Sequence, residues 1–111
     1  MSKITRYGIY WVDLHPVIGR EIDKARPCVV VSPQAMHEAG MAVVCPITSR
    51  VRKHWAHRIQ ISIKSRECDI MPDQIRAVSL RRFGNFIAEL NSGDVDKLKS
   101  VLLRLYVADQ Y

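Results

Sequence analysis

Long hydrophobic runs are missing from this chain. Nowhere in its 111 residues does an apolar stretch approach the roughly 18–20 residues that a bilayer-crossing helix needs. The opening MSKITRYG also lacks the apolar centre of a secretion signal. A cytoplasmic protein with no membrane partner is therefore expected. Paired cysteines are missing too: Cys28, Cys45 and Cys68 are odd in number and form no C-x-x-C motif. In a reducing compartment Cys28 and Cys45 read as small core residues within apolar runs. The histidines, His15, His37, His54 and His57, show no ligand spacing, and two of them close together do not make a metal site. No metal and no cofactor is expected. Repeats, linkers and low-complexity segments are also absent, so residues 1–111 read as a single domain. It is large enough for one modest core, which dimerisation would supplement.

A further gap is in negative charge. The formal net charge is +6, and between Glu38 and Glu67 there is no acidic residue at all, while Arg50, Arg52, Lys53, Arg58, Lys64 and Arg66 all fall in that interval. The run RVRKHWAHR interleaves these cations with rings. Such a segment can neutralise phosphates and stack an unpaired base; equally, it can be a solvated basic loop whose Trp55 packs onto the body.

What is present is mostly a period of two. Gly8–Leu14 reads as a first strand and PCVVVS, residues 27–32, as a second, continuous enough in β-branched residues to be buried on both faces. Met41–Thr48 is a third, with Pro46 marking an edge, a bulge or the strand's end. Arg58–Ile63 alternates cleanly and should have one wet face, and Asp73–Ser79 and Asn85–Leu90 complete the set. Only the tail changes period: Val95, Leu98, Val101, Leu102 and Leu105 recur at helical spacing over residues 94–107, after Asn91 or Ser92 as cap. The charged residues of that helix, Asp96, Lys97, Lys99 and Arg104, read as its solvated face. The expected fold is mainly β, a small, strongly bent antiparallel sheet or barrel carrying a C-terminal helix.

The segments YGIYWVDLHPVIGREIDKARPCVVVSP, VVCPITS and MPDQIRAVS carry Gly8, Pro16, Gly19, Glu21, Arg26, Pro27, Pro46, Thr48, Asp73 and Gln74 in order. That ordered set resembles the MazF/PemK family of toxin endoribonucleases, from about Tyr7 to the terminal helix. The resemblance implies an SH3-like barrel with a C-terminal helix, assembled as a homodimer. It also implies metal-independent cleavage of single-stranded RNA and inhibition by a cognate antitoxin with an acidic disordered segment. Related barrels include gyrase-directed toxins, so a non-catalytic toxin or an antitoxin-binding regulator is the alternative that fold alone leaves open.

In the loop GREIDKARP five of nine side chains are charged. Pro27 biases Arg26 toward an extended backbone and so holds its guanidinium at a strand entrance. A planar fork that stays charged suits phosphate oxygens. By resemblance Arg26 and Thr48 are the catalytic pair: Arg26 stabilises charge and is a candidate proton donor, and Thr48 binds and orients the phosphate. Glu21 matches the motif as an active-site residue that positions Arg26, or else is a surface turn carboxylate. Asp73 corresponds to an aspartate proposed as general base in one branch; Asp73 and Gln74 either act there, bind a base or hold loops. That branch has an arginine where this chain has Met71 and a histidine where it has Arg20, so its acid–base assignment does not carry over intact. Arg20 is a candidate replacement cation. His15 is either a proton-transfer group or a turn residue before Pro16. Arg50, Arg52, Lys53, Trp55, Arg20 and Gln74 are the expected RNA contacts.

Overall fold

The computed structural model describes residues 3–14 and 25–109. Among these, β1 (Gly8–Asp13), β2 (Ala25–Val30), β3 (Met41–Thr48), β4 (Ile59–Ile63), β5 (Arg66–Ile70), β6 (Arg76–Ser79) and β7 (Phe83–Glu89) form an antiparallel sheet in the order β4-β5-β3-β2-β1-β7, with β6 also on β3. A short helix α1 (Gln34–Glu38) precedes β3, and α2 (Ser92–Tyr106) closes the chain.

Strand β3 organises the rest. One edge pairs with β2; the other pairs with β6 from Met41 to Val44 and with β5 at Ile47 and Thr48. Pro46, which has no N–H to give a ladder, falls between those two pairings, and its carbonyl accepts from Met71 N at 2.8 Å. The sheet curls because β3 changes neighbour there and because β1 meets β7 through two register shifts.

Both faces of the central strands are covered. On one side Ile9, Val29, Cys45, Ile47, Ile61 and Ile70 pack under Leu98 and Val101 of α2; on the other, Tyr10, Val12, Cys28, Val30, Val44 and Val78 form a second cluster. This is why PCVVVS is uninterrupted in apolar residues while IQISI of β4 alternates buried and wet positions. The helix begins where its cap chemistry requires, Asn91 Oδ1 accepting from Asp94 N at 2.8 Å.

The structure differs from the sequence reading in five places, the first being that β2 runs Ala25–Val30 rather than over residues 27–32. Asp73 and Gln74 lie in a single 3-10 turn, Pro72–Gln74, and the strand begins only at Arg76, because proline at the first position of a turn fixes a helical φ. RECDI forms β5, which short polar-rich composition concealed. Helix α1 lies in a segment to which the sequence reading gave no element; it ends at Glu38 with Ala39 as cap, and Gly40 follows at a φ of +89° that suits glycine. Strand β7 starts at Phe83 rather than Asn85. No helix among the described residues is long and apolar enough to cross a membrane.

Candidate active site

The register of the sheet brings Arg26 and Thr48 together. Strands β2 and β3 pair Val30 with Val44, Val29 with Cys45 and Cys28 with Pro46; carried two residues further, the same register sets Arg26 opposite Thr48. Both are half-buried. They line one hollow of about 320 Å³ whose polar wall is Arg26, Thr48, Gln74 and Arg76 and whose apolar wall is Leu14, Pro46 and Met71. Among the described residues two guanidinium groups and no carboxylate face this space, so its chemistry suits an anion. Thr48 Oγ1 accepts from Arg50 N at 3.2 Å, which leaves the hydroxyl proton to donate elsewhere. Arg76, absent from the sequence reading, donates from Nη1 to the carbonyl of Leu14 at 3.4 Å; its only signal was a cation two residues after Asp73-Gln74.

The basic segment is arranged differently from the pair it follows. Arg52, Lys53 and Trp55 line a separate hollow of about 660 Å³ against α2, together with Arg58, Asp96, Lys97 and Arg104. The charged face of the helix is thus one wall of a basic groove. Trp55 is 43% exposed, yet its ring is well attended: the Arg58 guanidinium lies 4.5 Å from its centroid, that of Arg52 5.5 Å, and the His57 ring stacks at 5.2 Å. Arg50 is exposed and meets the site through its backbone.

Asp73 is already occupied. Arg58 donates from Nε at 2.8 Å and from Nη2 at 3.0 Å to its two oxygens. Burial acts to raise the Asp73 carboxyl, but that bidentate bond, its own backbone N–H and the charges of Arg58 and His57 outweigh it and hold the group below the ordinary carboxylate range. Asp73 does not line the hollow of Arg26, although Gln74 does. Glu21, Arg20 and His15 lie outside the described residues.

Sequence reasoning also passed over Asp69. It is fully buried and pairs across β5 with Thr48 on one side and Gln60 on the other. Its Oδ2 accepts from Arg52 N at 2.7 Å, while Oδ1 has no partner among the described residues. Its only signal was a carboxylate directly between Cys68 and Ile70. Burial pushes the Cys28 and Cys45 thiols up to about 12, away from thiolate character at neutral pH. Among the described residues no cluster of His, Cys, Asp and Glu is arranged to hold a metal ion.

Comparison with known proteins places this geometry in context. Residues 5–106 match the family described as PemK-like, MazF-like toxin of type II toxin-antitoxin system. Endoribonuclease MazF9 of Mycobacterium tuberculosis is 28% identical over 108 residues, covering 87% of this chain and 92% of its own. Endoribonuclease EndoA of Bacillus subtilis is 28% identical over 105 residues, covering 89% and 90%. In fold, a crystal structure of MazF from Deinococcus radiodurans superposes with a TM-score of 0.81 at 23% identity, covering 95% of this chain and 97% of that one. A MazE–MazF structure from the same organism gives 0.80 at 18%, covering 98% and 100%.

Proposed function

The chain belongs to the PemK-like, MazF-like toxins of type II toxin-antitoxin systems, and on that premise we propose that it is an endoribonuclease that cuts single-stranded RNA without a metal. In the reaction the 2′-oxygen of the substrate attacks the adjacent phosphorus as its proton is taken up, a pentacoordinate phosphorane forms, and the P–O5′ bond breaks as the 5′-oxygen gains a proton. The products are a 2′,3′-cyclic phosphate and a 5′-hydroxyl. Negative charge gathers on the phosphorane oxygens, and preorganised donors aimed at developing charge are worth about 10²–10³ in rate each.

The single observation that carries the proposal is the hollow shared by Arg26 and Thr48, in which no carboxylate stands among the described residues. Arg26 and Arg76 answer the phosphorane charge, and Thr48 donates its hydroxyl to a phosphate oxygen while its lone pair accepts from Arg50 N. Gln74 binds the RNA beside them. Asp73 anchors the basic loop through Arg58 instead of abstracting a proton, since a carboxylate held by a bidentate guanidinium and kept acidic is a weak base. Arg26 is also the candidate proton donor, Glu21 the loop residue that positions it, and Arg20 a further cation for phosphate contact. Arg50, Arg52, Lys53 and Trp55 form the track on which the rest of the RNA lies.

The partner reading follows from the same charge. Among the similar structures are an endoribonuclease with its cognate antitoxin from a mycobacterial species and the MazE–MazF structures; for this chain we infer a cognate antitoxin whose acidic disordered segment enters the basic surface. We also infer a cytoplasmic homodimer, with the exposed apolar side chains Leu103, Tyr106 and Val107 at the end of α2 as surface for a second copy.

The test is incubation of the purified protein with mixed-sequence single-stranded RNA in excess EDTA, followed by analysis of the ends. Cyclic-phosphate and 5′-hydroxyl ends that vanish in Arg26→Ala support the proposal. Intact RNA from a folded, antitoxin-free protein contradicts it.

A further inference from the structure

Helix α2 ends on a ring that stands outside the core. Leu98 and Val101 are buried, and Val95, Leu102 and Leu105 pack against the same cluster, whereas Tyr106, the last residue of the helix, is 52% exposed. Its polar tie to the body is its hydroxyl, which donates to the carbonyl of Pro72 at 2.7 Å. Pro72 is fully buried and has no N–H to give, so its carbonyl is the one polar group by which its backbone can be held. Within the turn that carbonyl accepts from Ile75 N at 3.2 Å, a longer bond than the one from Tyr106.

The turn Pro72–Gln74 supplies much of the wall of the hollow that holds Arg26 and Thr48. Met71 just before it, Gln74 at its end and Arg76 just after it all line that hollow, while Ile75 packs toward the core under α2. Three bonds reach the turn from elsewhere. Met71 N donates to Pro46 O at 2.8 Å, Asp73 takes the Arg58 guanidinium, and Pro72 takes the Tyr106 hydroxyl. The first comes from β3 and the second from the basic loop; the third comes from α2, which among the described residues contributes nothing to the lining.

We propose that Tyr106 is a positioning residue of the RNA site, its hydroxyl setting the height of the turn from which Gln74 and Arg76 enter the cleavage hollow. The inference rests on the RNA-cleavage reading above. Two features distinguish this from a helix-end tie without consequence for the site. Strand β6 begins at Arg76, one residue after the turn, so there is no slack to absorb a shift of Pro72 before it reaches Gln74 and Arg76. Groups that meet a reacting phosphate also tolerate displacement poorly, a misplacement of about 1 Å costing up to about 10²-fold in rate. The end of α2, where Leu103 and Val107 are exposed beside Tyr106, is thus linked to the RNA site without touching it.

Tyr106→Phe removes one oxygen and keeps the ring. It should lower kcat/KM for RNA cleavage about ten-fold and weaken binding of an uncleavable RNA, at the wild-type mass in solution. In a Gln74→Ala/Arg76→Ala background the same substitution should change that affinity by less than about two-fold, because the groups it positions are gone. Amide exchange gives a local readout: the N–H groups of Gln74 and Ile75, bonded to Met71 O and Pro72 O, should exchange faster in Tyr106→Phe, with protection of β3 and of the buried part of α2 unchanged. Wild-type affinity and kinetics in Tyr106→Phe overturn the proposal, even if the amides exchange faster, and leave the nuclease reading standing. An equal loss in both backgrounds makes the bond a general tie and overturns it too. A loss that appears only together with a change of mass in solution assigns Tyr106 to a surface between copies and likewise overturns it. A wild-type protein that does not cut RNA removes the underlying reading and the positioning role with it.

Discussion

Arg26 is useful because little about it is free to vary: Pro27 restricts its backbone and the pairing of Val12 with Arg26 fixes its height in the sheet. Replacing it with alanine should lower the single-turnover cleavage rate about 10²–10³-fold with thermal stability preserved, and Arg26→Lys should recover only part of that, because an ammonium keeps the charge but not the fork. The residue was legible from the dipeptide and its loop. Asp73 was legible as a position, but its bidentate bond to Arg58, fifteen residues earlier, was not, since it is a tertiary fact. That bond sets a pH dependence. A carboxyl whose folded value lies below its unfolded one stabilises fully above the unfolded value and loses its contribution as pH falls through the folded one. At neutral pH Asp73→Asn should therefore cost about 0.5–1 kcal/mol, and the difference from wild type should close as urea melts are repeated at increasingly acid pH. A constant difference down to strong acid would show that the ion pair is not its source.

The decisive element is the loop between β3 and β4, which hangs on two anchors. Asp69 takes the N–H of Arg52 at its start and Asp73 takes the guanidinium of Arg58 at its end. Asp69→Ala leaves that N–H without its acceptor and should destabilise by about 1–3 kcal/mol; Asp69→Asn, which retains an oxygen acceptor, should cost less, as denaturant midpoints would report. The loop's charge was plain in the sequence, and the proposal that it is an RNA track has a quantitative consequence. The double variant Arg52→Ala/Lys53→Ala should flatten the plot of log affinity against log salt by about 0.7 for each single-strand phosphate it no longer neutralises, measured by titration of an uncleavable RNA at several ionic strengths. An unchanged slope would remove both residues from the track. Strand β5 and helix α1 were not legible, and for physical reasons. RECDI exposes its first two residues and buries the rest, so it shows neither alternation nor a continuous apolar run, and five residues of helix are too few to display a period. Strands β1, β3 and β4 and helix α2, whose patterns are set by their own burial, were read to within a residue or two.

At the scale of the molecule, the register of β2 on β3 delivers Arg26 and Thr48, 22 positions apart, to the same hollow. The strand periods and the terminal helix were enough to read a bent sheet with α2 on one face; the order in which β5 and β6 divide the outer edge of β3 was not, since it depends on where Pro46 falls between two partners. A surface with this much positive charge should also not discriminate fully between RNA and an acidic peptide. Antitoxin peptide and uncleavable RNA should compete in a fluorescence titration, both binding less tightly as salt rises; simultaneous binding at undiminished affinity would separate their sites. The central claim is that the fold gathers Arg26 and Thr48 onto one phosphate, and a double-mutant cycle in single-turnover RNA cleavage reads it directly. Arg26→Ala, Thr48→Ala and the pair should give a coupling of about 0.5–3 kcal/mol, the double variant losing less than the product of the single losses; single effects that simply multiply would mean that the two side chains act apart.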